Sequence, residues 1–364
     1  MSSPEPIALA LAKHLNALRL ENFSSGAVAM ASTAITDTVG CALAGATEPC
    51  AALLLGTAID EKPAGKATLW GSVVSGSVLD AALFNGTAAH AIDFDDMAEA
   101  MGGHPSVPVL PVAIGLGEKL GASGAQVLEA YVVGFEAECR LGRAVHPHHY
   151  ERGWHPTSTL GTLGACAAAA RLLKLDEQQT ATAFGLCASM ASGVKANFGT
   201  MTKPLHVGMA ARNGLSAALM VSRGYTANAG ALEHKQGFFA AFDGLDHVRP
   251  ERILQDQGGL LEIEQPMFGL KQFACCGSTH NAIMAMLEIR QQREIRVEEV
   301  ASIAITAHRR RLPHTHNPFP RTPLQAKFSI QYATVRALID GPPRIEHFEG
   351  SAFQNPDAVT LLHK

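Results

Sequence analysis

Residues 157–175 read TSTLGTLGACAAAARLLKL, and this alanine-rich run sets the character of the whole chain. Thr157 and Ser158 are residue types that begin helices, and the apolar residues after them fit a helical period. Glycine and alanine have small side chains, so helices built from them can approach one another closely. The run therefore predicts a helix in a compact, all-helical lobe.

Similar segments fill the first two thirds of the chain. Small residues dominate them, and glycine, proline or serine separates one from the next. Asp176 and Gln179 also have the three-residue spacing of a capping box. The predicted helices run from Ser24 to Gly45, from Ser123 to about Leu141, from Asp176 to Ser192 and from Pro204 to Arg223, with Gly224 ending the last.

The pattern changes after about residue 265. Val300–Ala307 alternates between apolar and polar residues as a half-buried strand does, whereas 278–291 and 324–339 keep helical spacing. We therefore expect a mainly α chain with a large all-helical domain and a smaller α+β domain. The predicted domains are 1–265 and 266–364.

Composition excludes several classes of protein. Of the 364 residues only 17% are charged, and the net charge of −4 offers no general attraction to nucleic acid or anionic membranes. The apolar runs are broken by turn residues, so we expect no membrane span. Seven cysteines, an odd number, do not resemble a disulfide framework, and no signal sequence precedes Pro4. These features favour a cytoplasmic protein.

The most informative segment for function is 90–96, HAIDFDD, which is followed at 103–106 by GHPS. Three carboxylates beside apolar residues are unusual, because an unpaired buried charge costs several kcal/mol. They are either partnered functional groups or the solvated end of a helix. In the second case Asp95 and Asp96 would face water and His104 would cap a turn.

Three further short clusters lie at breaks before helices. They are WHPT at 154–157, TKPLH at 202–206 and KQFACCGSTH at 271–280. Helix N-termini present free N–H groups and suit carboxylate ligands. If these clusters meet at one site, their lysines, histidines and aspartate can bind a polyanion and move protons without a metal.

Other chemistries fit less well. Cys275, Cys276 and His280 lack the spacing of a zinc site, and the aspartates of 90–96 lack the glycine and distal glutamate of a calcium loop. Cys276 could be a nucleophile if its pKa were lowered, but a small apolar packing role is the simpler interpretation. Phosphate-binding loops and dinucleotide fingerprints are absent.

In these clusters the chain resembles the MmgE/PrpD family, whose members include 2-methylcitrate dehydratase, cis-aconitate decarboxylase and iminodisuccinate epimerase. The resemblance implies a large helical domain, a smaller α+β lid domain, a homodimer and a cofactor-free cleft between the domains. The matching motifs lie at 90–96, 153–157, 202–211, 271–280 and 328–332.

Carried over residue by residue, the resemblance implies a catalytic group and a substrate-binding group. His104 or His155 would act as the general acid or base, and Asp93 would orient a histidine or lysine. Lys203 and Lys271 would hold substrate carboxylates. The implied catalytic residues are Asp93, His104, His155, Lys203 and Lys271, and the implied substrate-binding residues are Lys203, Lys271, Tyr332, Cys276 and Met97.

Two positions depart from the decarboxylase branch of the family. Met97 stands where that branch has threonine, and Cys276 stands where it has histidine. We therefore expect a metal- and cofactor-independent lyase that dehydrates a small di- or tricarboxylate, as 2-methylcitrate dehydratase does. An epimerase that uses the same proton abstraction, and a non-catalytic binding member, are the alternatives.

The family's chain usually continues beyond the position of Lys364. We therefore expect the lid domain to be incomplete relative to the family and a second copy to cover apolar surface of the helical domain.

Overall fold

A computed structural model describes residues 5–59 and 65–364 of the chain. These residues form two compact units. Unit 1 consists of Met1–Ala91, Asp95–Ala196 and Pro204–Leu270, and unit 2 consists of Ile92–Phe94, Asn197–Lys203 and Lys271–Lys364. The sequence prediction of domains 1–265 and 266–364 does not include the two short segments that unit 2 takes from the first part of the chain.

The prediction of a mainly helical fold is confirmed. Most of unit 1 is formed by α1 to α11, and its strands are four two-residue pieces in two antiparallel pairs, β1 with β2 and β3 with β4. The helices are α1 (Ile7–Ala17), α2 (Ser25–Gly45), α3 (Pro49–Ile59), α4 (Val78–Ala91), α5 (Ser106–Leu120), α6 (Gly124–Val145), α7 (His148–Glu151), α8 (Pro156–Leu173), α9 (Glu177–Met190), α10 (Thr202–Val221) and α11 (Phe238–Phe242). The strands are β1 (Ala67–Thr68), β2 (Ser75–Gly76), β3 (Met97–Ala98) and β4 (Phe268–Gly269).

Helix starts follow the capping residues in the sequence. The Ser24 side chain accepts a hydrogen bond from the backbone N–H of Ala27 and begins α2. Ser123 begins α6, and Asp176 with Gln179 begins α9, each through a reciprocal capping box. These bonds satisfy N–H groups that the helix itself leaves without partners, so these three predicted starts are confirmed. The helix predicted from Pro204 begins two residues earlier, at Thr202.

Glycines set how closely the helices of unit 1 pack. A Cβ atom added to Gly208 of α10 would lie 2.1 Å from the carbonyl oxygen of Leu83 in α4. One added to Gly134 of α6 would lie 2.7 Å from the carbonyl oxygen of Gly164 in α8. No side chain larger than hydrogen fits at such distances, which confirms the expectation that small residues bring these helices together.

Unit 2 has its own core around Phe273, Tyr332 and Phe348. The single helix predicted over 324–339 is wrong, because the chain breaks at Phe328–Ser329. Ser329 accepts a hydrogen bond from the backbone N–H of Tyr332 and so begins a new helix. The helices of unit 2 are α12 (Gly277–Gln292), α13 (Leu312–Thr315), α14 (Pro323–Lys327), α15 (Ile330–Asp340) and α16 (Pro356–Leu362).

The strand predicted over Val300–Ala307 is also wrong. Burial does alternate there, with Ile303 and Ile305 half-buried and Ala304 exposed, but the segment pairs with no other strand. Alternating apolar and polar residues indicate only that one face of the segment is buried. A β-strand also needs a neighbouring strand to which its backbone forms hydrogen bonds. No paired strand occurs among the described residues of unit 2, so the β part of the predicted α+β domain is not observed.

The sequence analysis expected no membrane span, but helix α2 is long and apolar enough to be a candidate. By length and composition alone it could cross a membrane, and 33% of its most apolar stretch is buried in the structure. Core helices of water-soluble proteins and signal sequences near an N-terminus pass the same test.

A fully buried carboxyl group in the core of unit 1 gives the first testable prediction. Burial, reinforced by the nearby Asp96, raises the pKa of Glu138 well above its usual value. Folded protein therefore keeps a proton that the unfolded chain loses above about pH 4.5, so stability falls as the pH rises. We expect Glu138→Gln to reduce this slope by about 1.4 kcal/mol per pH unit. The measurement is urea unfolding between pH 5.5 and 7.5.

The exposed variant Glu298→Gln serves as the control and should keep the slope of the original protein. Parallel plots of unfolding free energy against pH for Glu138→Gln and the original protein would show that Glu138 is ionised in the fold.

Candidate active site

Two lysines of unit 2 share one buried carboxylate. Lys203 Nζ lies 2.6 Å from Asp93 Oδ1, and Lys271 Nζ lies 3.1 Å from the same oxygen. All three side chains are at least 95% buried. Three of the five predicted catalytic residues therefore meet in one place, which we call the lysine cluster.

The backbone at Asp93 brings its carboxylate and its carbonyl to the lysines together. Asp93 has φ of 55°, in the left-handed region that non-glycine residues seldom adopt. Its carbonyl oxygen accepts a hydrogen bond of 2.7 Å from Lys271 Nζ. Strained backbone of this kind persists where surrounding contacts enforce it, and it concentrates at functional sites.

A third buried lysine, Lys327, belongs to the same region of unit 2 and was not among the predicted residues. Its Nζ donates to the carbonyl oxygens of Ile92, at 2.8 Å, and Ala274, at 3.3 Å. The signal in the sequence is a lysine placed between Ala326 and Phe328, next to a motif already assigned to the site. Lys327 thereby joins the Asp93 segment to the segment that follows Lys271.

The cysteines beside this cluster are protonated thiols. Burial raises the pKa of Cys275 to about 12. Burial and the charge of Asp93 likewise raise the pKa of Cys276, although Lys271 and Lys203 oppose the shift. A thiol in this state is a poor nucleophile, which favours the packing interpretation. His280 Nε2 donates a hydrogen bond of 3.2 Å to the Cys275 carbonyl oxygen, and burial together with the charge of Lys271 lowers the pKa of His280 to about 4.

A group of histidines in unit 1 surrounds Asp95. Asp95 Oδ2 lies 2.8 Å from His90 Nδ1 and 3.1 Å from His104 Nδ1. Burial by itself would raise the pKa of Asp95, but the two histidines lower it well below the usual range of aspartate. Asp95 is therefore an ionised carboxylate inside the protein, and we call it and its histidines the histidine cluster.

The contacts of His104 fix which ring nitrogen carries the proton. Its Nδ1 faces the Asp95 carboxylate and the carbonyl oxygen of Asp96, at 2.7 Å. Both are acceptors, so Nδ1 must be the donor. In the neutral ring Nε2 is then the basic nitrogen. The His104 side chain is 12% exposed, so this histidine has the properties of a general base.

His155 joins the same cluster. Its ring stacks on that of His90 with 5.6 Å between centroids, and its Nδ1 lies 3.3 Å from His206 Nδ1. His155 is the N-cap of α8, where Pro156 fits the first helical position. The structure thus brings His104 and His155 together in unit 1. His90, Asp95 and His206 complete the histidine cluster. The sequence analysis did not single out these three residues as catalytic.

The alternative of a solvated helix end is wrong, because Asp95 and Asp96 are completely buried. Two other predicted residues lie apart from these clusters within their units. Tyr332 is in the core of unit 2, where its hydroxyl donates to the carbonyl oxygen of His347 at 2.7 Å. Met97 is half-buried in β3 and pairs with Gly269.

One group of side chains in the described part of the chain could hold a metal ion. It consists of His90, Asp95 and His104, whose ligand atoms lie within 4.8 Å of one another. The two aspartates considered with Asp95 for a calcium site do not join it, since Asp93 binds the lysines and Asp96 binds Ser106.

The fold and its two clusters define a mainly helical protein that keeps lysines, histidines and carboxylates out of bulk water. The chain belongs to the MmgE/PrpD family. Residues 9–251 match the MmgE/PrpD N-terminal domain, and residues 273–364 match the MmgE/PrpD C-terminal domain.

Several similar proteins carry the same name. The chain is 32% identical to the cis-aconitate decarboxylase of Homo sapiens over 78% of its own length and 60% of that protein. It is 28% identical to the cis-aconitate decarboxylase of Aspergillus terreus over 76% of its own length and 58% of that protein. With the cis-aconitate decarboxylase-like protein oryM of Aspergillus oryzae the identity is 25% over the whole chain and 80% of that protein. The chain spans about 60% of the length of the first two relatives.

Proposed function

We propose that this protein is a cofactor-independent lyase that acts on a small di- or tricarboxylate. The observation that carries the proposal is the lysine cluster, in which two buried ammonium groups converge on a single carboxylate oxygen. Gathering like charges out of water is costly unless anions are bound there. Substrate carboxylates are the anions that the name of the relatives supports.

The histidine cluster of unit 1 contains the groups that acid–base chemistry of this kind needs. In a dehydration, His104 Nε2 removes a proton from the carbon beside a carboxylate, and the electron pair forms the new double bond. The hydroxyl leaves as water after it receives a proton from His155. A dehydration of this type also develops negative charge on a carboxylate, and a pair of ammonium groups such as Lys203 and Lys271 is suited to stabilise such a charge.

Decarboxylation is the second candidate reaction, and the names of the relatives favour it. Here a carbon–carbon bond breaks, carbon dioxide leaves, and the electron pair left behind takes a proton from a histidine. Met97 and Cys276, the two departures from the decarboxylase branch, favour dehydration instead. Both reactions need the same lysines and an acid–base histidine.

Proton NMR in deuterated water with a panel of hydroxylated and unsaturated di- and tricarboxylates tests the proposal. New vinyl signals without release of carbon dioxide would show dehydration, and release of carbon dioxide would show decarboxylation. Deuterium exchange without a new product would show an epimerase. Binding of the panel without any reaction would show a non-catalytic member. Either deuterium exchange alone or binding alone would overturn the proposal that the protein is a lyase.

We further propose that the reaction needs no metal. His90 and His104 direct their Nδ1 hydrogens at Asp95, so a cation would have to displace both hydrogens. We expect dialysis against EDTA to leave turnover unchanged within about twofold, and added zinc to inhibit. Metal analysis of the dialysed protein accompanies the assay. Activity that is lost on dialysis and restored by a divalent ion would make His90, Asp95 and His104 a metal centre.

A homodimer in a reducing cytoplasm is the proposed state of the protein. Helix α2 carries one charged residue, Asp37, and exposes Met30 and Leu43 by 36% and 53%. None of the seven cysteines, all of which the structure describes, forms a disulfide, as expected in a reducing compartment. Light scattering after size exclusion should give the mass of a dimer, and Leu43→Glu should lower it. Met284→Glu, at an apolar residue of α12 that is 41% exposed, is the control.

A further inference from the structure

Two adjacent aspartates in unit 1 have opposite electrostatic environments. Asp95 is held ionised by the two histidines, as described above. Burial raises the pKa of Asp96 to about 8, and Ser106 only partly opposes this shift. Neighbouring carboxyl groups whose pKa values are pushed apart usually have different roles.

Asp96 forms a clamp around the segment that carries His104. Its carboxyl oxygens accept a hydrogen bond of 3.2 Å from the Ser106 backbone N–H and meet the Ser106 hydroxyl. Its own carbonyl oxygen accepts from His104 Nδ1 at 2.7 Å. One residue therefore fixes both the imidazole of His104 and the chain two residues beyond it.

The clamp is anchored in the core. The Ser106 hydroxyl lies 2.5 Å from the Tyr131 hydroxyl of α6, and the side chains of Asp96, Ser106 and Tyr131 are all buried. Ser106 is also the first residue of α5. The His104 backbone N–H donates to Thr157 Oγ1 at 3.1 Å, so the segment is held from a second side by α8.

We propose that Asp96 is a positioning residue for His104, which holds the imidazole with its hydrogen on Nδ1 through the backbone carbonyl while its side chain binds Ser106. The Asp95 carboxylate provides a negative charge beside His104 Nδ1. Asp96 fixes the position of the backbone carbonyl that accepts the Nδ1 hydrogen. Removal of the Asp96 carboxyl group should let its carbonyl move and release Nδ1. The catalytic consequence rests on the proposed function, but the state of the ring does not.

Histidine nitrogen NMR on ¹⁵N-labelled protein tests the proposal, since the two ring nitrogens of a neutral histidine give separate signals for each tautomer. The His104 signals are assigned by comparison with His104→Gln. The original protein should show His104 with its hydrogen on Nδ1. Asp96→Ala should give a mixture of tautomers, and Asp96→Asn, which keeps the shape and the hydrogen bonds, should restore the single form.

Turnover should follow the same order. We expect Asp96→Ala to lower kcat about tenfold to a hundredfold with KM nearly unchanged, and Asp96→Asn to recover it to within about threefold. Asp95→Asn should lose about a hundredfold, because an amide cannot supply the charge that orients the imidazole. Tyr131→Phe, which removes the hydroxyl that holds Ser106 but keeps the Asp96 side chain, is the milder variant if Asp96→Ala fails to fold. By loosening Ser106 it should shift the tautomer in the same direction and to a smaller extent.

Two results would overturn the proposal. The first is a single Nδ1–H form of His104 in both Asp96→Ala and Tyr131→Phe. The second is an Asp96→Asn variant as impaired as Asp95→Asn, which would show that the charge of Asp96 matters. A clear change of tautomer in a protein without lyase activity would uphold the positioning role and count against the proposed function alone.

Discussion

Replacing His104 with glutamine is expected to lower kcat by about two to four orders of magnitude while leaving the fold intact. The reason is the fixed tautomer, in which Asp95 and the Asp96 carbonyl hold the hydrogen on Nδ1 and leave Nε2 as the base. Glutamine keeps a polar side chain of similar length but cannot accept and release a proton. Single-turnover and steady-state rates with the substrate found by NMR measure the effect.

His234→Gln is the matched control for this variant, since His234 is exposed and its Nδ1 accepts only a local backbone hydrogen bond. It should retain full turnover. His155→Gln should be impaired to a similar degree as His104→Gln if His155 is the acid. Near-normal turnover in both His104→Gln and His155→Gln would remove histidine from the mechanism.

Replacing Lys271 with methionine is expected to damage both stability and activity. The variant leaves the buried Asp93 carboxylate with a weaker set of partners, and breaking a buried ion pair typically costs about 3–5 kcal/mol. In the proposed reaction Lys271 stabilises a substrate carboxylate, so loss of its positive charge should also lower kcat/KM by about two to three orders of magnitude. Urea unfolding and steady-state kinetics measure the two effects separately.

The double variant Lys271→Met with Asp93→Asn separates the effect on stability from the effect on activity. Neutralising Asp93 removes the carboxylate that has lost Lys271 but leaves Lys203 facing a neutral amide, so part of the lost stability should return while kcat/KM stays low. Lys235→Met, at an exposed lysine, controls for the change of net charge. Recovery of activity together with stability would show that Lys271 serves only the fold.

Local signals explain why the helices of this chain could be predicted from sequence. Ser24, Ser123 and Asp176 satisfy N–H groups within three residues of themselves, so their effect does not depend on distant parts of the chain. The break at Phe328–Ser329 uses the same type of cap. It was missed because the apolar spacing continues across it.

The site was predictable only in part. The motifs, interpreted through the family resemblance, identified five members of the two clusters but did not single out His90, Asp95 or His206 as catalytic. Lys327 was missed because its partners are backbone carbonyls of Ile92 and Ala274, which leave no trace in a sequence. The strand at 300–307 failed for a related reason, since a pattern of burial does not reveal whether a neighbouring strand exists.

The three residues Ile92–Phe94 limit how this protein can be divided or recombined. They belong to unit 2 although the chain on both sides of them belongs to unit 1. A fragment cut at residue 270 would carry Lys271 and Lys327 without Asp93 or Lys203. A chimaera that exchanges its C-terminal part with a relative would likewise join lysines from one parent to an aspartate from the other. The lysine cluster therefore needs residues from both sides of this boundary, and a chimaera joined here keeps the cluster only if both parents have the same residues at positions 93, 203, 271 and 327.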